Sequence, residues 1–182
     1  MGALVNTEIS LRTLIDKQAI SEVIYRYARA LDRCDLELLK SCFHEDSTHD
    51  HGEFEGSSRD FCDWAMALLR RLTATQHHIG NILIDLDGER ANAETYWVAY
   101  HRIPAEAGGS GVVAGRGEET DLFIGGRYID RMELRNGTWK IARRVGIHDW
   151  QRFEPANDGG FFQSEPRKRG RRSRDDPSYH RL

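Results

Sequence analysis

A chain of 182 residues, 39% of them hydrophobic, suits one domain able to bury its own core without disulfides or metal. A net charge of −3 gives no global pull toward nucleic acid, and three cysteines, Cys34, Cys42 and Cys62, lack the even count of a secreted disulfide framework. They read as reduced thiols of a cytoplasmic protein. No basic and then apolar leader opens the sequence, no run reaches membrane-span length, and Asn6 stands where N-myristoylation needs Ser or Thr.

From Thr7 to Leu31 the apolar residues recur at helical spacing, as one long helix or two with a break near Asp16. Asp32 to Asp35 interrupts the pattern, and a shorter helix follows over Leu36 to Cys42. HEDSTHDHGEFEG is a turn-rich connector with a short strand around Ser47 to Asp50. Ser57 or Ser58 caps a third helix reaching about Arg71, with Phe61, Trp64, Ala65, Leu68 and Leu69 inward and Met66, Trp64 and Leu68 in the core. The period then changes to two. Strands are predicted over Thr75 to Leu86, Ala91 to Ile103, Asp121 to Leu134 and Thr138 to His148, with hairpin signals at Asp87-Gly88 and Asn136-Gly137. A glycine-rich loop, AEAGGSGVVAGRGEE, separates the second and third of these strands. Helices first and an antiparallel meander afterwards argue α+β. Residues 1–153 form the domain and 154–182 a C-terminal extension, packed on the domain or on a neighbouring subunit.

Several segments match a known pattern in order: Tyr27-Ala-Arg-Ala-Leu-Asp32, Thr75-Gln76-His77-His78-Ile79-Gly80, Tyr100-His101-Arg102, Gly125-Gly126-Arg127-Tyr128 and Asn136-Gly137-Thr138-Trp139-Lys140. Together they resemble the SnoaL-like branch of the nuclear-transport-factor-2-like superfamily over roughly Thr7 to Phe153. The resemblance implies a cone-shaped α+β barrel in which N-terminal helices pack on a curved antiparallel sheet around a pocket. The Tyr27-to-Asp32 spacing is similar to that of bile-acid 7α-dehydratase. TQHHIG resembles the histidine strand of scytalone dehydratase, with His78 in the catalytic place and His101 as a second pocket histidine. Arg144 falls where hexachlorocyclohexane dehydrochlorinase carries a functional arginine. Ala99 and Tyr27 depart from the acidic residue and the lysine that those relatives hold at the matching positions, so neither substrate carries over.

The implied activity is a cofactor-independent lyase of the dehydratase type on a small, largely apolar, aromatic or polycyclic substrate. Isomerisation, formaldehyde elimination and non-catalytic binding or assembly are the alternatives on the same fold. Asp32 and His78 form the acid–base pair, because imidazole titrates near neutrality and a carboxylate fixes its tautomer. Tyr27, His101, Arg144, Trp97, Tyr128 and His51 are the substrate-binding candidates. The resemblance also implies a homodimer or homotrimer.

Strand alternation lets only one of His77 and His78 face the pocket, and the choice of His78 rests on the resemblance. Thr95, Trp97, Ala99 and His101 share a face that suits a ligand wall or a subunit interface. Tyr27 and Asp32 lie roughly 140° apart on an ideal helix, so they share a pocket only if the helix ends before Asp32. His44, His49 and His51, with Asp46 and Asp50, match no zinc spacing. The glycine-rich loop lies between strands, not before a helix, which excludes a nucleotide cradle. No GxSxG elbow and no reactive-cysteine context occurs. The basic run RKRGRRSR reads as a solvated or intersubunit arm, with nucleic-acid binding the lesser reading.

Overall fold

The computed structural model describes residues 11–108, 111–161 and 169–180. Helix α1 (Leu11–Arg33) runs without a break through Asp16, burying Ile20, Val23, Ile24, Tyr27, Ala28 and Leu31 along one stripe. It stops where Cys34 adopts a left-handed conformation (φ 51°), and Asp35 caps α2 (Leu36–Ser41) by accepting the Leu38 N–H at 3.1 Å. β1 (Phe43–Asp50) and the short β2 (Glu55–Ser57) follow. Ser57 caps α3 (Ser58–Leu69), accepting from the Asp60 N–H while its hydroxyl donates to the Asp60 carboxylate. The meander is β3 (Ala74–Asp87), β4 (Arg90–Ile103), β5 (Thr120–Arg135) and β6 (Thr138–Pro155).

These strands form one open six-stranded sheet in the order β2-β1-β6-β5-β4-β3. The meander pairs are antiparallel, but β1 joins β6 in parallel, so the sheet is mixed and not purely antiparallel. Asn136 and Gly137 both take positive φ, as a two-residue hairpin with a type I′ turn requires. β6 continues seven residues past the expected end at His148. The extension is held by its ladder to β5, from Gly125–Trp150 to Thr120–Pro155. Its side chains are mostly exposed and give no period to read. Among the described residues, no helix is long and apolar enough to cross a membrane.

Three β-bulges interrupt the meander. On β3, Gly80 and Asn81 together oppose one residue, between the pairs Ile79–Trp97 and Ile82–Thr95. On β6, Ala142 is extra between Met132–Ile141 and Arg131–Arg143, and Asp149 is extra between Gly126–His148 and Gly125–Trp150.

Residues 169–180 lie against the end of α1 and the turn after α3. The Arg172 guanidinium donates to the carbonyls of Leu69 (2.7 Å) and Leu72. Tyr179 donates to Asp35 at 2.8 Å, and Arg33 pairs with Asp176 at 3.3 Å. Residues 167 and 168 of the basic run lie outside the described residues, as do 7–10 at the expected start of α1 and 109–110 of the glycine-rich loop.

Candidate active site

α1, α3 and the inner face of the sheet enclose a cavity of about 550 Å³, walled largely by apolar side chains such as Leu31, Phe61, Trp64, Leu68 and Ile124. Trp64 and Leu68, expected in the core, pack against it and also form cavity wall, while Met66 is core. Residues 111–113 and 116 of the glycine-rich loop close one side, where the Val112 N–H donates to Glu53 at 3.1 Å.

Asp32 meets His77 and not His78. The His77 ring donates from Nδ1 to Asp32 Oδ1 at 2.7 Å, and the His77 backbone N–H donates to Oδ2 at 2.9 Å. His78 is exposed on the opposite side of β3. The bulge supplies the physical reason. Ile82, Ile84 and Leu86 line the inner face, and strict alternation carried back from them reaches His78. The extra residue at Gly80–Asn81 shifts the phase, so Ile79, His77 and Thr75 continue the inner face instead. The available signal was Gly80, since a glycine inside a strand often marks a bulge.

α1 runs through Asp32, so Tyr27 and Asp32 leave the helix on different flanks. Tyr27 lines the cavity, and Asp32 stands behind His77. With Nδ1 committed to the carboxylate, Nε2 is the ring nitrogen available to a molecule in the cavity. Beside it lies His101, whose ring centroid is 5.5 Å from that of His77 and whose Nδ1 is 2.7 Å from the Thr75 hydroxyl. Burial holds the His101 pKa well below the ordinary imidazole value. Trp97, Tyr128 and His51 also line the cavity. The shared face of Trp97 and His101 is thus turned into the cavity.

Arg144 is fully buried and does not line the cavity. Its Nε and Nη2 donate to the two oxygens of Asp130 at 2.7 and 2.6 Å. Its guanidinium carbon sits 4.0 Å from the centre of the Tyr27 ring and 4.1 Å from that of Tyr128. Burial works against the arginine charge, but Asp130 outweighs it and holds the pKa above its ordinary value. Arg144 therefore reaches the cavity only indirectly, through the two tyrosines it touches and through its charge, which helps to lower the pKa of His51. The Tyr27 phenol is pushed up to about 12, chiefly by burial, and stays a proton donor at neutral pH. Burial likewise raises the Cys42 and Cys62 thiols to about 11 and about 12, which rules them out as thiolate nucleophiles at neutral pH.

The histidines of the 44–51 segment disperse. His44 bonds the Glu133 carbonyl at 2.9 Å, Asp46 pairs with Arg135, and His49 stacks on Phe61 at 3.4 Å. Among the described residues, no group of three or more His, Cys, Asp or Glu side chains is placed to hold a metal ion. His148, to which the sequence assigned no role, also lines the cavity.

Buried neutral histidines make acid lability a property of the fold. Burial is the main cause depressing both His49 and His101. The unfolded chain takes up protons at these residues below about pH 6.5, while the native chain does not. Their contribution is therefore complete above that pH and is lost as pH falls. Between pH 6 and 5 the two residues together will lower stability by about 2–3 kcal/mol. Urea midpoints measured across that range check this, and a flat profile would refute it.

The chain matches the SnoaL-like domain family over residues 12–145. No functionally curated protein shows significant sequence similarity to it. Solved structures share the fold. A Novosphingobium aromaticivorans protein provisionally named a scytalone dehydratase is 24% identical, with a TM-score of 0.63 over 79% of this chain and 91% of its own. The hexachlorocyclohexane dehydrochlorinase LinA-type3 of Novosphingobium barchaimii is 16% identical, with a TM-score of 0.66 over 81% and 94%. A Kribbella flavida protein is 19% identical, with a TM-score of 0.64 over 83% and 99%. At these identities the structures speak for the fold alone. The family match spans most of the chain, from α1 to the middle of β6, and the protein belongs to the SnoaL-like domain family within the nuclear-transport-factor-2-like superfamily.

Proposed function

We propose that the protein is a cofactor-independent lyase of the dehydratase type, acting on a small, largely apolar molecule. The observation that carries this reading is an imidazole backed by a buried carboxylate in the wall of an apolar cavity of about 550 Å³. His77 Nε2 takes a proton from a carbon next to an activating carbonyl or ring. The C–H electron pair becomes the new C=C bond as the C–O bond to the leaving group breaks. The imidazolium returns its proton to the departing oxygen, which leaves as water. Asp32 fixes the tautomer and steadies the transient positive charge. Tyr27 and the uncharged His101 offer hydrogen bonds to the carbonyl or the leaving oxygen.

The test is incubation with hydroxylated aromatics and hydroxysteroids in H₂O and D₂O, followed by mass spectrometry. The expected product has lost one water, and H77Q does not form it. A product of unchanged mass carrying solvent deuterium would assign proton shuttling instead. Binding of these compounds without any product would overturn the lyase reading in favour of a binding module.

A further inference from the structure

We propose that His51 and His148 form a second polar site in the same cavity, which recognises an uncharged oxygen at the end of the substrate away from His77. The assignment deepens the lyase reading and rests on it for the position of the reacting carbon. Both side chains line the cavity, and their rings meet edge to face with centroids 4.8 Å apart. The Trp97 ring stands 5.5 Å from that of His148. Cross-strand pairing runs Ile79–Trp97–Gly126–His148, so His148 lies three strand spacings from β3, about 14 Å along the curved sheet. The two histidine pairs thus sit at different places in the wall of one cavity, with Trp97 beside His148.

The His51 ring is seated by a glycine. A Cβ at Gly146 would fall 2.2 Å from His51 Nδ1, so any side chain there would push the ring out. Neither His51 Nδ1 nor Trp97 Nε1 has a hydrogen-bond partner among the described residues, although both are buried. Polar atoms left in this way are costly, and such sites are commonly functional.

The chemistry of the pair selects the ligand. Burial lowers the His51 pKa to about 3 and also lowers that of His148, against the opposing pull of Glu53 and Asp149. Two neutral imidazoles present both donor and acceptor nitrogens, the complement of a hydroxyl or phenol, and one donor suffices for a carbonyl. They offer no charge to hold a carboxylate or phosphate. An anionic ligand would be drawn to Arg116 at the exposed rim instead.

The experiment is fluorescence titration of the full-length protein at pH 7.5 with 2-naphthol, 2,6-dihydroxynaphthalene and 6-hydroxy-2-naphthoate. The diol is expected to bind about tenfold more tightly than 2-naphthol, as one well-placed hydrogen bond allows. That preference should vanish in H51F. It should also vanish in H148L, a change at an exposed residue. Equal binding of diol and mono-ol, a preference for the naphthoate, or a preference that survives both substitutions would overturn the proposal. Because binding is read and not turnover, selectivity without product sinks only the lyase reading. Turnover of a substrate by a protein without selectivity sinks only the second site.

Discussion

Replacing Asp32 with asparagine will lower the rate of the proposed elimination by about 10⁴-fold while leaving the fold in place, the order of loss seen when a triad carboxylate behind an imidazole becomes an amide. The native carboxylate accepts from both the ring Nδ1 and the backbone N–H of His77. An asparagine oxygen can still accept from the backbone. Its NH₂ then faces Nδ1 and donates to it, which forces the proton onto Nε2. The nitrogen that faced the substrate as a base becomes a donor. Two measurements check this together: turnover of a substrate identified by the screen above, and ring ¹⁵N shifts of His77. Retained turnover with the tautomer reversed would remove His77 from the base role. Lost turnover with the tautomer unchanged would assign Asp32 an effect other than tautomer control.

The second large effect concerns stability. Asp130→Ala will cost about 3–5 kcal/mol, because it leaves the Arg144 charge buried between two aromatic rings without its carboxylate. The double replacement D130L/R144M removes both charges and is expected to recover most of that loss, since apolar residues often match a buried pair in stability. Urea denaturation of the three proteins decides the matter. If the double variant were as unstable as the single one, the pair would be supplying more than charge compensation.

The helices and the meander were legible because their signals are local: the apolar stripe of α1, the Ser57 cap, and Asn136-Gly137 between alternating runs. Asp32 was legible as a short-range spacing from Tyr27. The choice of histidine was not, because it depends on a phase shift at Gly80–Asn81 that alternation alone cannot reveal. Arg144 fails for the same reason. Counting back from the Asn136-Gly137 turn pairs Asp130 with Arg143, and only the extra residue at Ala142 brings Arg144 opposite Asp130. The place of His148 in the cavity wall has no local signal, because the alternating pattern of β6 stops there while the strand continues to Pro155. β1 was seen only in part, and its parallel pairing with β6 is a long-range contact with no local trace.

The bulge on β3 also has a genetic reading. Two residues there do the work of one, so losing a single codon at Asn81 would pair Gly80 with Tyr96 and restore an unbroken ladder. His77 would still face the cavity, and Ile82, Ile84 and Leu86 would keep their side. Strand length next to the Asp32–His77 pair is therefore free to vary by one residue among descendants of this sequence without exchanging the two faces, so alignments of its relatives should tolerate a gap at this position.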